Sequence, residues 1–473
     1  MEGIMRKLFS DYTQNIRYFD NKLCVDENFD VIKKVLKVGD GELSLYYIDG
    51  FVKDTVMQKL MMHFLTLKSF SDSALEFMQR NVPYVETDES DDPEFMIQMV
   101  LSGATLMLGS SFGASGIIID SRTYPGRDAE EPQGDRVMRG SRDGFVETLI
   151  FNTALIRRRI RDCSLTMKYI TVGTESKTDV VVCYMKGKAD EKYVKELTEK
   201  LKSIKVKSLT MGAQSLAECL IRTHWYNPFP KIRMTERPDS ASAQILEGSV
   251  AIIMDNSPEV MILPSSIFDF MQETNDFYFP PLTGTYIRLV RFAVFFMTLM
   301  ITPVWYLFML YPHMIPEWLS FIIPENSARI PIIFQLFLVE FIIDALRLAS
   351  TNTPDMLANS LSVVGGLILG DFAVTIGWLI PEVILYMAFV AIANFTQRSY
   401  ELGYAFKFLR MLLLLLTAIF KFWGFVAGCV LILVLLVTNK TVNGKRKYLY
   451  PLIPFRPRAL LSLIVRVKKK DFV

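Results

Sequence analysis

The sequence predicts an α/β cytoplasmic N-terminal region of two subdomains, followed by an α-helical multi-span membrane domain. Three observations carry that expectation. Hydrophobic residues make up 51% of the 473, high for a wholly soluble chain. They are unevenly spread: residues 1–285 read as ordinary mixed sequence, whereas 286–438 is dominated by Phe, Leu, Ile, Val and Met. Before that break, apolar runs of strand length alternate with runs of helical period. The expected divisions are 1–160 and 161–285 for two cytoplasmic α/β subdomains, 286–438 for the membrane domain and 439–473 for a basic cytoplasmic tail.

Each element has its own signal. "DGELSLYYIDG" (40–50) is a short apolar run between turn signals, as a buried strand would be, and "TVMQKLMMHFLTL" after it is helical in character. "MIQMVLSGATLMLG" repeats the order of helix then strand. "KYITVGTESKTDVVVCYMKG" reads as a hairpin rich in β-branched residues, and "EKYVKELTEKLKSIKV" as an amphipathic helix. "GSVAIIMDNSPEVMILPSSI" gives two apolar runs joined by the turn Asp255, Asn256, Ser257, Pro258.

Chemistry-bearing motifs are missing from this part. The glycine-rich "LSGATLMLGSSFGASG" lacks the lysine and spacing of a P-loop and the spacing of a dinucleotide site, and so reads as a loop. No GxSxG, HExxH or kinase set occurs. The only histidines are His63, His224 and His313, and the five cysteines are scattered without a paired spacing. No catalytic residue, metal, cofactor or nucleic-acid partner is therefore expected. The opening "MEGIMRKLFSDYTQN" has no apolar stretch after its charges, so the N-terminal region is expected to stay in the cytoplasm.

Two stretches stand out. "RGSRDGFVETLIFNTALIRRRIRD" (139–162) places Val146, Leu149, Ile150, Thr153, Ile156 and Ile160 on one helical face and the arginines mainly on the others. Arg157, Arg158 and Arg159 then either contact a lipid phosphate, a neighbouring subunit or a ligand, or form a solvated face pairing with Glu147 and Asp162. Arg237, Pro238, Asp239 and Ser240 read as a turn that starts the helix "SASAQILEG", ending at Gly248.

The membrane half opens with Phe292 to Leu310, which carries no charge and meets the need for roughly 20 apolar residues to cross a bilayer. Arg288 and Arg291 just before it place that side in the cytoplasm, and Trp305, Tyr306 and Tyr311 suit an interfacial belt. "IPIIFQLFLVEFIIDALRLAS" carries Glu340 and Asp344 one helical turn apart, with Arg347 after them. A central charge facing lipid costs about 3 kcal/mol or more, so this helix lies at an interface or faces a protein or water interior. Met411 to Val437 is broken by Lys421 and reads as one long tilted helix or a tight hairpin. With 361–380 and 382–396, roughly four to six crossings are expected. From Lys440 onward ten Lys or Arg stand against one acid, Asp471, a composition that favours anionic lipid or docking on the soluble part.

"SVVGGLILGDFAV" (362–374) combines Gly365, Gly366 and Gly370 with Asp371. The four-residue spacing of Gly366 and Gly370 lets helix backbones approach closely in lipid. Asp371 beside that strip joins Glu340 and Asp344 either as a cation path or pore rim, or as a headgroup-wetted turn.

Several long motifs, in order and over most of the chain, resemble the A-subunit family of GerA-type spore germination receptors. They are "VMRGSRDGFVETLIFNTALIRRRI", "RPD" at 237–239 with "LEG" at 246–248, "DNSPEVMILP" and "SVVGGLILGD". "YPGR" (124–127) and "SRDGFVET" are closer to the stage V sporulation protein AF branch. The resemblance implies an integral protein of the inner spore membrane with its N-terminal domain cytoplasmic. It implies self-association into an oligomeric channel that releases monovalent cations, with a multi-span B-type partner subunit. The other functional class is a non-conducting receptor or scaffold that relays a signal through its soluble part. Under the channel expectation, Gly366→Leu should impair assembly on native gels. Asp371→Asn should change cation flux from liposomes with assembly intact.

Overall fold

The computed structural model describes residues 7–123, 139–221, 226–324, 329–352, 372–397, 399–442 and 448–466. It divides into two compact units, Met1–Arg222 with Ile232–Pro264, and Thr223–Lys231 with Ser265–Val473.

The first unit holds two five-stranded sheets in which every pairing is antiparallel. One contains β1 (Val31–Val38), β2 (Gly41–Ile48), β3 (Thr87–Ser90), β4 (Thr105–Gly109) and β5 (Gly116–Ile119) in the order β1-β2-β4-β5-β3. The other contains β6 (Leu165–Val172), β7 (Thr178–Met185), β8 (Arg233–Thr235), β9 (Val250–Met254) and β10 (Val260–Leu263) in the order β6-β7-β9-β10-β8. The helices fall at matching places: α1 (Tyr12–Lys22), α2 (Asp54–Thr66), α3 (Ala74–Asn81) and α4 (Pro93–Leu101) in one half, and α5 (Leu149–Arg159), α6 (Glu191–Ser203), α7 (Gly212–Leu220) and α8 (Pro238–Leu246) in the other. The unit is thus one topology used twice.

Local chemistry repeats with it. Asn15 bonds both backbone groups of Phe9, and Asn152 does the same to Val146, bracing the entry to α1 and α5. α4 and α8 both begin on a proline, which is preset for a first helical turn and needs no donor there. Both are followed at the same spacing by a glycine at positive φ, Gly103 (103°) and Gly248 (98°), which releases the chain into a central strand. β4, β5, β9 and β10 are buried on both faces, so they read as continuous apolar runs rather than alternating ones.

Of the stretch 101–116, read both as a loop for want of a nucleotide-binding pattern and as the strand that follows a helix, Thr105–Gly109 form β4 and 110–115 the turn into β5. α5 builds the second core through Leu149, Leu155 and Ile156, while its Ala154 packs into the first. A division at 160 would cut this helix from the core it builds; by packing, the second half starts ahead of Phe145.

The second unit is helical: α9 (Ile267–Met271), α10 (Asn275–Tyr278), α11 (Pro281–Leu310), α12 (Ile332–Asn352), α13 (Pro381–Phe395), α14 (Tyr400–Thr438) and α15 (Pro457–Ile464). Two of these, α11 and α14, are long and apolar enough to cross a membrane. α14 is broken at Lys421, whose backbone (φ 54°, ψ −130°) leaves helical space. The limb after the break folds back on the limb before it. A methyl group on Gly424 would strike the carbonyl oxygen of Leu416, and one on Gly428 would strike the Leu413 side chain. The block from Met411 is therefore a tight hairpin, not one long helix.

Trp305 and Tyr306, expected in an interfacial belt, are buried instead. The Trp305 indole donates to the Ile322 carbonyl (3.1 Å) and packs on Tyr386, so packing inside the unit claims both its ring and its N–H. Gly424→Leu should splay the hairpin and lower stability by about 1–3 kcal/mol, the usual range for overpacking. The same change at exposed Ala427 should be near neutral in thermal unfolding in detergent.

Candidate functional site in the helical unit

The residues that stand out chemically in the second unit are charges on apolar helices. On α12, Glu340 and Asp344 share a face because four residues make about one turn. On the first limb of α14, Lys407 and Arg410 share a face in the same way. The two faces meet. Arg410, wholly buried, donates from Nη2 to both Glu340 carboxylate oxygens (2.8 and 2.9 Å) and from Nη1 to the Thr298 carbonyl of α11 (2.8 Å). Lys407, nearly buried, lies 3.4 Å from Glu340 and donates to Asp344. Two acids and two cations thus close on one another.

Their degrees of burial separate their roles. The Glu340 side chain is 8% exposed and that of Asp344 is 35% exposed. Asp344 opens on a cleft lined by Ile343, Arg347, Asn394, Tyr400 and Lys407, among others. The guanidinium of Arg347 lies over the rings of Phe395, Tyr400 and Tyr404 at 5.7, 5.1 and 5.4 Å. The cleft offers about 20 Å³ for water centres, room for roughly one molecule. Among the described residues, Asn394 Oδ1 and Arg410 Nε are buried without a hydrogen-bond partner. Such groups ordinarily find water or an ion.

Of the residues singled out from sequence, Glu340 and Asp344 are brought together at this cluster. Asp371, Gly365, Gly366 and Gly370 lie outside the described residues. Sequence reasoning missed Lys407 and Arg410, two basic residues between apolar runs. Their three-residue spacing, complementary to the four-residue spacing of the acids, was the available signal.

In the first unit, Arg157 requires a correction. It is 0% exposed, and its fork closes on Asp30 (2.8 and 2.9 Å) with a further bond to the Leu165 carbonyl (3.3 Å). It ties the start of one sheet to the first strand of the other and cannot reach a lipid or subunit. Burial alone would lower the pKa of this guanidinium; the Asp30 carboxylate outweighs it and raises it. Arg159 pairs with Asp143 and Ser141, while Arg158 stays exposed. Burial would raise the Asp143 carboxyl, but the hydrogen bonds from Arg159 and Ser141 hold it below the usual carboxylate range. Arg237 is likewise buried, gripping Asp239 (3.0 and 2.7 Å) and the Ser141 carbonyl (2.8 Å). Among the described residues no group of acids, histidines and cysteines is arranged to hold a metal.

The fold and the site define a two-part protein, a twofold-repeated α/β unit followed by apolar helices, two of them long and apolar enough to cross a membrane and two of them carrying paired charges. Comparison with known proteins is specific: the chain belongs to the Bacillus/Clostridium GerA spore germination protein family, whose model matches residues 18–472. Stage V sporulation protein AF of Bacillus subtilis (strain 168) is 36% identical over 468 residues, covering 98% of this chain and 94% of its own. Spore germination protein A1 of the same organism is 29% identical, covering 92% of this chain and 89% of its own. Spore germination protein KA is 28% identical, covering 95% and 83%. A crystal structure of the N-terminal domain of the A subunit of the Bacillus megaterium spore germinant receptor GerK3 aligns at 24% identity and a TM-score of 0.43, over 55% of this chain and 97% of that one.

Glu340→Gln should destabilise the helical unit by about 3–5 kcal/mol, because it leaves Arg410 buried without its counter-charge. Asp344→Asn, at a partly exposed pair, should cost about 1 kcal/mol or less. Thermal unfolding of the full chain in detergent separates the two.

Proposed function

We propose that this chain is a membrane subunit of a spore germination complex that assembles with copies of itself into a channel releasing monovalent cations. Its relatives are spore germination proteins, which supports the role in germination. The single observation that favours ion movement is the cluster of Glu340, Asp344, Lys407 and Arg410 on apolar helices, because charges in such places are expensive and usually serve ion or proton paths.

In this reading the helical unit spans the inner spore membrane several times, with the α/β unit and the tail on the cytoplasmic side. A multi-span B-type subunit and anionic lipid are its partners. No catalysis is assigned to it. Glu340 and Arg410 hold the helices in register. The Lys407 ammonium takes the place a mobile cation would hold beside Asp344, so displacing it exposes a carboxylate to the cleft. Asp371, beside the glycines of 365–370, is the further acid assigned to the path.

One observation favours the competing reading of a non-conducting receptor or scaffold: both described acids already have cationic partners within a single chain. The two readings separate on reconstitution. Purified protein in liposomes should pass potassium or sodium in single-channel recording. Lys407→Met should raise the open probability several-fold, and Asp344→Asn should lower conductance. Liposomes that pass no ions with any of the three proteins, alone or with a B-type subunit, would leave the scaffold reading standing.

A further inference from the structure

The base of α11 carries a second network of buried charge, and it holds the chain's C-terminal segment. Asp276, 0% exposed, accepts from Arg288 Nε (3.2 Å) and from Arg291 Nη1 and Nη2 (2.7 and 2.9 Å). Glu273 also pairs with Arg291. Arg288 then reaches across to the carbonyls of Ser462 and Leu463 (2.9 and 3.4 Å) at the end of α15. The backbone N–H of Arg466 donates to Thr285 Oγ1 (3.1 Å), and its guanidinium donates to the Phe277 carbonyl. Gly284 makes room for this approach: a methyl group there would lie 2.5 Å from the Asp276 carbonyl oxygen and 2.9 Å from Arg466 Cδ. Arg288 and Arg291, read from sequence as the charges that set the cytoplasmic end of a span, are thus committed to the tail and to Asp276.

What the docked segment shows outward is unusual. Leu463 is buried, but Leu452, Phe455, Leu461 and Val465 are 42, 67, 60 and 38% exposed, and Arg456 and Arg458 among them are exposed as well. On α15, Arg458 and Leu461 share a face by their spacing of three, and Val465 follows just past the helix end in extended backbone. Large apolar side chains interleaved with arginines, on a short helix, is the composition of an element that lies in the membrane interface, apolar groups at the acyl boundary and guanidiniums on phosphates. Its position agrees, because it is fastened to the first turns of a helix long and apolar enough to cross a bilayer, where Leu282 and Tyr286 are also exposed.

We infer that residues 448–466 form an interfacial anchor that binds the headgroup layer of acidic phospholipids, with Arg456 and Arg458 on lipid phosphate and Leu452, Phe455, Leu461 and Val465 in the acyl boundary. The inference rests on the membrane placement of α11 proposed above. It names a lipid contact distinct from the lysines further along the tail, and it gives the network around Asp276 a purpose: the anchor is held at a fixed height on α11.

A solvatochromic fluorescent amino acid at position 461 of the full chain tests this, with the same probe at Phe296, on the exposed side of α11, as a control. In vesicles containing phosphatidylglycerol, the 461 probe should shift to the blue. It should be quenched more by nitroxide lipids labelled near the headgroup than by those labelled near the chain end. In pure phosphatidylcholine the shift should shrink, and R456Q and R458Q should each reduce the buried population about fivefold. A 461 probe that stays open to aqueous iodide and silent to lipid quenchers, while the 296 probe is quenched, would overturn the anchor and leave the membrane placement standing. So would equal shielding in detergent and in both vesicle types, which points to a protein cover. Silence at both positions would overturn the membrane placement itself.

Discussion

Buried charge must find its opposite, and in this protein that rule fixes how elements distant in the chain come together. In the α/β unit the Arg157 fork closes on Asp30. In the helical unit Arg410 closes on Glu340, and Arg288 and Arg291 close on Asp276. A buried pair adds little net stability compared with apolar residues of the same volume, but removing one partner is severe. Such pairs therefore act as registry devices. Apolar packing alone would let helices slide past one another, whereas a two-point guanidinium–carboxylate contact admits one alignment.

The α/β unit applies a second economy. Its helices and strands follow one plan twice, down to the asparagine that braces each entry helix and the proline and glycine that bracket α4 and α8. The halves are not interchangeable, however. α5 sends Ala154 into the first core and most of its other apolar side chains into the second, and Arg157 on the same helix reaches Asp30 just ahead of β1. The second half's entry helix has become the seam of the whole unit.

Local pattern made much of this legible. Strand runs such as "VAIIM" and "VMIL" and the amphipathic α6 are visible because burial imposes its period within a few residues. What stayed hidden is what depends on distant partners. Asp30 lies 127 residues from Arg157 and Glu340 lies 70 from Arg410, so a reading of local faces turned the first arginine outward and passed over the second. The hairpin in α14 was half visible. Gly424 and Gly428 carry the small-residue spacing of close-packed helices, but the turn itself falls on Lys421, a residue with no turn preference. The family motifs added what chemistry could not, since the α/β unit carries no catalytic signature.

The doubling back at Lys421 settles a matter of parity. Phe406 near the start of α14 and Leu436 near its end share one hydrophobic cluster with Tyr448, while Leu414, further along the first limb, packs beside Trp305 in another. A chain that goes out and returns leaves where it came in. On the membrane placement proposed above, Tyr400 and Asn439 face the same leaflet, so the polypeptide can lengthen or shorten this loop over evolution without inverting anything downstream.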